Sequence, residues 1–219
     1  KAQNLEYLNS FKLNNVEVPK FIFFNLNEWK QDKQKLILQI KNQLNKKICI
    51  RSSFYKEDNA KSSLAGKFDS FINIKNDKKN IIYSVENLIN QYRKYDSKSK
   101  FFSKNYFLIQ NYIQSSICSG VITNYALSDG APYYSINYND LSNSTLSVTA
   151  GDKDSFRVLH ISRNSKENIR SIKFKKIIEA IKTIEKIYNY KPVDIEFALG
   201  KNLKVYILQI RPISTTFKW

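Results

Sequence analysis

The chain has 219 residues, enough to bury a substantial hydrophobic core in one large domain or two small ones. Its 36 Lys and Arg residues against 19 Asp and Glu give a formal net charge of +17, which suits an anionic partner such as a nucleotide or a nucleic acid. No stretch is long and apolar enough to span a bilayer, and no signal peptide is visible, so we expect no membrane partner.

The spread of the positive charge disfavours nucleic acid as the partner. The lysines are distributed along the whole chain together with abundant Asn, Ile, Tyr and Phe, and no RNA-recognition signature or basic recognition helix is present. Cys49 and Cys118 stand singly in apolar stretches without paired metal spacing, which is typical of reduced, buried thiols. A cytoplasmic location fits these cysteines.

The first half of the chain alternates helical and strand patterns. Apolar residues at helical spacing predict one helix over residues 27–45 and another over residues 79–95. Between them, residues 47–53 have the pattern of a short apolar strand. The polar stretch 94–104 predicts a loop that links two lobes, and a strand is expected over residues 106–110.

The second half is richer in strands. Alternating patterns predict strands over residues 120–125, 133–138, 145–148 and 156–161. Ser128-Asp129-Gly130 indicates a turn between two of them. A last helix is expected over residues 172–188, with isoleucines on its inner side, and a hairpin closes the chain.

The two strands of this hairpin carry polar residues that a half-buried strand does not require. Asp194 and Glu196 are two residues apart and therefore face the same side of an extended strand. Glu196 and Gln209 can supply oxygen ligands to a magnesium ion that also binds a triphosphate. Arg211 adds a planar cation suited to phosphate. An ordinary hairpin with a polar, wet face is the alternative interpretation.

A second candidate phosphate site begins at Arg51-Ser52-Ser53. It continues through Glu57-Asp58 to a segment of small residues that contains Gly66 and Ser70. Such residues let backbone N–H groups approach phosphate oxygens, so this segment could close over a triphosphate. A serine-rich surface loop explains the serines equally well, and no Walker-type motif is present.

Taken in order, these motifs resemble the ATP-binding domain of the phosphoenolpyruvate synthase and pyruvate phosphate dikinase family. The similar pieces are Arg51-Ser52-Ser53 with Glu57-Asp58, Ala65-Gly66 with Phe71, Ile109-Gln110 with Ser119-Gly120-Val121, and Asp194-Ile195-Glu196 with Leu208-Gln209-Ile210-Arg211-Pro212. The first residues, Lys1 to Leu5, are similar to the family's opening. The resemblance implies an α+β, two-lobed ATP-grasp-like fold with the nucleotide between the lobes, which we expect at residues 1–100 and 101–219.

The resemblance also implies cofactors and site residues. The cofactors are ATP and Mg²⁺. Nucleotide-binding residues are expected at Lys1, Arg51, Gly66, Ser70, Gln110, Glu196, Gln209 and Arg211. Within this set, Arg51 and Arg211 are the expected catalytic contacts to phosphate, Glu196 and Gln209 the metal ligands, and Gln110 the residue near adenine.

Two departures from the family pattern change what we expect of the whole protein. Where the family commonly has Gly-Leu-Gly-Glu, this chain has residues 137–144 without that motif. Family members also pass the phosphoryl group through a histidine on a separate domain, whereas His160 lies in a strand-like alternation that predicts a structural or surface role. We therefore expect carrier-histidine and acceptor-binding domains elsewhere in the same longer chain.

The leading hypothesis is the Mg-ATP-binding domain of a phosphotransferase that acts through a carrier histidine on a small-molecule acceptor. The amide nitrogen of L-glutamine is favoured as the acceptor over pyruvate or an antibiotic. A non-catalytic nucleotide-binding or sensing module and a basic RNA-binding protein are the alternatives. The combination of Arg51, Glu196, Gln209 and Arg211 favours catalysis over sensing.

Overall fold

A computed structural model describes residues 1–54, 68–95, 104–140, 157–165 and 168–213. The chain divides into two compact units, each with its own sheet. The Arg51 unit comprises Ala2 and Pro19–Tyr112. The Glu196 unit comprises Lys1, Gln3–Val18 and Ile113–Trp219.

The described residues contain five helices and ten strands. In chain order these are α1 (Ala2–Asn9), β1 (Val16–Glu17), β2 (Phe21–Asn25), α2 (Leu26–Gln31), α3 (Lys33–Gln43), β3 (Lys47–Ser53), β4 (Ser70–Lys75), α4 (Lys78–Tyr95), β5 (Tyr106–Asn111), β6 (Ser116–Thr123), β7 (Tyr133–Asn139), β8 (Arg157–Ser162), α5 (Ile172–Ile187), β9 (Val193–Gly200) and β10 (Val205–Pro212).

The Arg51 unit contains an antiparallel sheet with the strand order β2-β5-β3-β4. Alternate residues of its strands, such as Ile50 and Ile109, join a hydrophobic core with buried side chains of α2, α3 and α4, including Trp29 and Tyr92. Because side chains alternate across a strand, the intervening residues of β3 and β5 face away from these helices. This second face carries Arg51, Ser70 and Gln110, the predicted site residues of the unit that the structure describes.

The prediction of one helix over residues 27–45 is wrong, because the chain forms two helices that break at Asp32. Its backbone has φ −148° and ψ 71°, and its carboxylate accepts a hydrogen bond of 2.9 Å from the N–H of Lys35 at the start of α3. Asn25 and Glu28 form a capping box at the start of α2. Competition from such local side-chain caps ends one helix and begins the next.

Three further elements of this unit agree with the sequence prediction. The expected strand over 47–53, the helix over 79–95 and the strand over 106–110 correspond to β3, α4 and β5. Residues 96–103, the centre of the predicted linking loop, lie outside the described residues. Helix α1 and the strands β1, β2 and β4 were not predicted, and Ser70, expected in a phosphate-covering loop, is the first residue of β4.

The division of the chain into two units does not follow the predicted boundary between residues 100 and 101. Strand β5 follows that boundary but pairs with β2 and β3, so it belongs to the Arg51 unit. Strand β1 lies near the start of the chain but pairs in parallel with β10, so it belongs to the Glu196 unit. Both assignments depend on pairing between distant segments, which periodicity does not reveal.

The Glu196 unit contains a six-stranded sheet with the order β1-β10-β9-β6-β7-β8. Helix α5 packs on one face through Ile177, Ile178, Ile181 and Ile184, as predicted. The strands expected over 133–138 and 156–161 correspond to β7 and β8, and the strand expected over 145–148 lies outside the described residues.

Strand β6 ends at Thr123, two residues before the predicted end. The buried side chain of Asn124 accepts a hydrogen bond of 2.8 Å from the N–H of Val193 and donates one of 3.1 Å to the carbonyl of Lys191. These contacts bind the start of β9 to the end of β6. The expected turn follows at Gly130, whose φ is 73°.

A buried polar network joins α5 to this sheet. The hydroxyl of Tyr134 donates a hydrogen bond of 2.9 Å to the carboxylate of Glu185, which also pairs with Arg163. The guanidinium of Arg163 stacks 4.5 Å from the ring centre of Tyr125 and donates to the carbonyl of Asn124. Because Glu185 is buried, these partners offset the cost of removing its charge from water.

Both cysteines are buried and outside any disulfide, as predicted. In the ranges that the structure describes, no helix is long and apolar enough to cross a membrane.

The close approach of β6 and β7 at Gly120 leads to a stability prediction. A Cβ atom at Gly120 would overlap the backbone oxygen of Asn137 and lie 2.8 Å from the Cα of Tyr138, and neither backbone atom can move independently. We expect Gly120→Ala to lower the free energy of unfolding by about 1–3 kcal/mol. Urea denaturation followed by circular dichroism measures this loss.

Gly200→Ala is the matched control in the same sheet. There the closest atom to a new Cβ is Oδ1 of Asn202, at 2.8 Å, which is the end of a side chain that can rotate. Its cost should therefore be clearly smaller than that of Gly120→Ala. Equal losses in the two variants would contradict the packing described for β6 and β7.

Candidate metal-nucleotide site

The predicted metal-nucleotide residues of the Glu196 unit lie together on one face of its sheet. In the antiparallel pair of β9 and β10, Gln209 is directly opposite Glu196 and Arg211 is directly opposite Asp194. Directly opposed residues share a face of the sheet. Their neighbours Ile195 and Ile210 face the other side, toward which α5 packs. We call the side with Glu196 the polar face.

A register shift creates this arrangement. The pairing moves by one residue between Ile207 and Gln209, so that Ile207 is opposite Phe197 whereas Gln209 is opposite Glu196. Without the extra residue, Leu208 would be opposite Glu196 and Gln209 would face the other side. Bulges of this kind redirect side chains and are frequent next to active sites.

Arg211 and Asp194 form an ion pair beside these two residues. The guanidinium Nε donates a hydrogen bond of 3.0 Å to Oδ2 of Asp194, and a terminal guanidinium nitrogen contacts the same oxygen. Both side chains keep some solvent exposure, at 27% for Arg211 and 13% for Asp194. The pair restrains the arginine next to Glu196 and Gln209 and occupies one oxygen of Asp194.

The donors present on the polar face fit a magnesium ion that arrives with a phosphate ligand. Glu196 is half-buried and Gln209 is buried, and they offer a carboxylate and an amide oxygen from adjacent strands. Magnesium in nucleotide sites takes one or two protein oxygens and completes its octahedron with phosphates and water. Among the described residues, no group of three or more His, Cys, Asp or Glu could hold a metal alone.

The polar face continues across three further strands. Thr123 is opposite Asp194, Ser135 is opposite Thr123, and His160 is opposite Ser135. The Oγ of Ser135 lies 3.0 Å from Nδ1 of the exposed His160. The buried hydroxyl of Thr123 has no hydrogen-bond partner among the residues that the structure covers.

In the Arg51 unit, three predicted residues lie on the sheet face away from the helices. Arg51 is directly opposite Ser70 on one side and Leu108 on the other, and only 3% of its surface is exposed. Gln110 is directly opposite Cys49, and only 1% of its surface is exposed. Within the described part of the chain, Nε2 of Gln110 finds no hydrogen-bond acceptor.

Lys1 and Gly66 are the two remaining predicted residues of the first half of the chain. Lys1 is half-buried at the start of α1, where its carbonyl accepts a hydrogen bond of 3.2 Å from the N–H of Leu5, and it belongs to the Glu196 unit. Gly66 lies outside the described residues, as do Glu57 and Asp58. The structure therefore describes seven of the eight predicted nucleotide-binding residues.

The segment that replaces the family's Gly-Leu-Gly-Glu motif begins in β7. The carboxylate of Asp140 pairs with Lys173 of α5 and, at 3.3 Å, with Arg157 of β8. The hydrogen bond from Lys173 is the largest effect that lowers the pKa of Asp140. Residues 141–144 lie outside the described residues. The described acid of this segment is thus held in ion pairs with α5 and β8.

A comparison with protein families finds one match in this region. The family described as "Pyruvate phosphate dikinase, AMP/ATP-binding domain" matches residues 125–218. This match confirms the predicted family resemblance. It contains the whole of β9 and β10, and thus Asp194, Glu196, Gln209 and Arg211. No curated protein sequence matches the chain.

Solved structures share the fold at low sequence identity. An L-amino acid ligase from Bacillus licheniformis aligns over 99% of this chain and 43% of its own, at 12% identity and a TM-score of 0.56. A carboxyaminoimidazole ribonucleotide synthase from Aspergillus clavatus, solved with ATP, aligns over 99% and 45%, at 12% identity and a TM-score of 0.53. A D-alanine-D-alanine ligase from Coxiella burnetii aligns over 97% and 47%, at 12% identity and a TM-score of 0.51.

These similarities confirm the predicted α+β, ATP-grasp-type fold. The chain spans less than half the length of each of the three structures. At 12% identity the likeness extends to the fold and not to the reactions that those proteins catalyse.

Sequence reasoning missed Thr123 and Ser135 on the polar face of this ATP-grasp-type fold. Single hydroxyl residues in a strand form no motif. One signal was present in the sequence. In an alternating strand, Thr123 faces the same side as Val121 and the opposite side from the apolar Ile122. Only the pairing of β6 with β9 shows that Thr123 lies beside Asp194.

Proposed function

We propose that this chain is the Mg-ATP-binding part of a phosphotransferase that acts through a carrier histidine on a small-molecule acceptor. The observation that carries the proposal is the bulge in β10, which puts Gln209 opposite Glu196 and beside the Arg211–Asp194 pair. The same segment falls within the match to an AMP/ATP-binding domain. Oxygen donors and a restrained guanidinium on one face suit a metal-bound triphosphate.

In the Glu196 unit, Glu196 and Gln209 would hold the metal, and Arg211 would contact phosphate oxygens. Bound Mg²⁺ supplies positive charge that neutralises the phosphates during phosphoryl transfer. The neutral Gln209 avoids an excess of negative charge beside the triphosphate. The ion pair with Asp194 keeps the guanidinium of Arg211 oriented before the nucleotide binds, which limits the entropy lost on binding.

In the Arg51 unit, Arg51 would contact phosphate and Gln110 would contact the base. A buried amide with an unsatisfied N–H is costly unless a ligand provides a partner, and the ring nitrogens of a purine are suitable acceptors. Ser70, directly opposite Arg51, would add a hydroxyl. Lys1 and Gly66 join the proposal on the family resemblance alone.

The carrier histidine and the acceptor site are proposed to lie in other domains of the same longer chain, in the cytoplasm. His160 is exposed on the edge strand β8 and contacts Ser135, so a structural or surface role fits its position. Among acceptors we favour the amide nitrogen of L-glutamine over pyruvate or an antibiotic. This preference rests on the divergent segment 137–144 and on the composition of the chain.

Glu196→Gln and Gln209→Ala test the metal-binding assignment. Glu196→Gln replaces an anionic carboxylate by a neutral amide of the same shape, and Gln209→Ala removes the amide oxygen altogether. We expect each variant to bind Mg-ATP at least about tenfold more weakly, equivalent to about 1.4 kcal/mol. Titration calorimetry measures the affinity, and the parent should gain about 2.7 kcal/mol of stability at a hundredfold excess of Mg-ATP over its Kd.

Glu179→Gln is the matched control for this test. Glu179 lies on α5 and pairs with Lys176, so its charge is removed without changing the polar face. Its affinity for Mg-ATP should equal that of the parent. Unchanged affinity in both Glu196→Gln and Gln209→Ala would contradict the assignment, and RNA binding without Mg-ATP binding would favour the RNA-binding alternative.

A labelling experiment tests the histidine relay. The chain alone should bind ATP without forming a stable phosphoryl-enzyme, because the proposed carrier lies elsewhere. Adding the carrier domain, attached or in trans, should produce an acid-labile phosphohistidine from ATP labelled in the β- or γ-phosphate. Both labels are needed because members of the family differ in the phosphoryl group that reaches the carrier.

His160→Ala is the control for the relay. It should leave labelling of the added carrier domain unchanged. Stable label on the isolated chain that disappears in His160→Ala would make His160 the phosphoryl acceptor and contradict the proposal. A failure of the full-length protein to form any phosphohistidine, despite binding Mg-ATP, would favour a nucleotide-sensing module.

A further inference from the structure

Cys49 lies on the face of the Arg51 unit that carries Arg51 and Gln110. Its neighbours in the strand, Ile48 and Ile50, belong to the hydrophobic core on the helix side. Cys49 therefore faces away from that core, on the same side as Arg51 two residues later. Cys49 is 5% exposed and forms no disulfide.

Gln110 is the direct cross-strand neighbour of Cys49. The two residues are opposite each other in the antiparallel pair of β3 and β5, where opposed Cα atoms are about 4.5–5.5 Å apart. Gln110 is 1% exposed, and its Nε2 has no hydrogen-bond acceptor among the described residues. An almost fully buried amide with an unused donor is costly, and an acceptor atom of a ligand next to this pair would satisfy it.

On the side of β3 away from β5, Cys49 is next to an irregular part of strand β4. Pairing moves from Ile48 opposite Ile74 to Ile50 opposite Phe71, so β4 has one extra residue across from Cys49. Asn73 lies in this extra stretch with φ 57°. Burial raises the pKa of the Cys49 thiol, while the charge of Arg51 and a backbone hydrogen bond from Asn73 lower it in part. The thiol thus has polar neighbours on a face that is not packed by the helices.

We infer that Cys49 lines the base subsite beside Gln110, so that nucleotide binding and covalent modification of this thiol exclude each other. The inference rests on the proposed function, and it adds a modification site for small thiol-directed reagents such as alkyl thiosulfonates and disulfides. A group attached to the sulfur would occupy the space next to Gln110 that the base requires. The base would in turn cover the sulfur.

The reagent methyl methanethiosulfonate tests this exclusion. The thiolate attacks the sulfenyl sulfur of the reagent, forming a Cys–S–S–CH₃ disulfide and releasing methanesulfinate. Mass spectrometry of peptides measures the modification rates of Cys49 and Cys118 in the same sample. Cys118 is the internal control, because it is buried in the Glu196 unit and burial raises the pKa of its thiol to about 12.

We expect saturating Mg-ATP to slow modification of Cys49 at least about tenfold, since the reactive form is the fraction without nucleotide. Magnesium tripolyphosphate, which has the phosphates but no base, should leave the rate at Cys49 near that of the unbound protein. Modification of Cys118 should not change in parallel. Protein already modified at Cys49 should bind Mg-ATP at least about tenfold more weakly, and dithiothreitol should restore its affinity.

Cys49→Ala separates this inference from the proposed function. The affinity of the variant for Mg-ATP should be the same before and after treatment with the reagent, whereas the affinity of the parent should fall. If calorimetry shows that the parent binds Mg-ATP but Cys49 is modified at an unchanged rate, the inference is wrong and the proposed function stands. Equal protection of Cys49 and Cys118 would also overturn it, since that result reflects general stabilisation. If the parent does not bind Mg-ATP, both fail.

Discussion

The one-residue shift in register between β9 and β10 determines which side chains meet on the polar face of the Glu196 unit. A regular pairing beyond Ile207 would put Leu208 opposite Glu196 and turn Gln209 and Arg211 toward the side that α5 covers. The bulge instead combines two oxygen donors with a restrained guanidinium. The apolar residues of the same strands, such as Ile195 and Ile210, still face α5 and pack against it.

The rest of the unit supports this pair of strands. Asn124 hydrogen-bonds to the backbone at Lys191 and Val193 and so fixes the start of β9, just before Asp194. The network of Arg163, Glu185 and Tyr134 connects the same region to α5. Because the polar groups of this network are paired, the buried charge of Glu185 can lie between α5 and the sheet at a reduced cost.

Several helices and strands could be predicted from the sequence, because their apolar and polar residues follow regular spacing over long segments. Helices α4 and α5 have strong apolar periodicity, and β9 and β10 carry polar residues at the spacing of a metal-nucleotide motif. The family match to residues 125–218 confirms the resemblance, and the solved structures confirm the fold. The roles of individual site residues depend on the binding experiments.

Other features could not be predicted because they depend on pairing between distant segments or on local caps. The break at Asp32 arises because its carboxylate accepts a hydrogen bond from the N–H of Lys35, which competes with a continuous helix. The parallel pairing of β1 with β10 and the position of β5 in the Arg51 unit decide where the units divide. Likewise, only the pairing of β3 with β5 shows that Cys49 lies opposite Gln110.

Paramagnetic relaxation by Mn-ATP tests the central claim most directly, since Mn²⁺ binds the same oxygen ligands as Mg²⁺ and broadens nearby amide signals. We predict strong broadening at Glu196 and Gln209, with little effect at Lys201 and Asn202 in the turn of the same hairpin and none with diamagnetic Mg-ATP. Saturating Mn-ATP that leaves Glu196 and Gln209 sharp while broadening signals elsewhere would contradict the metal-nucleotide site proposed on this face.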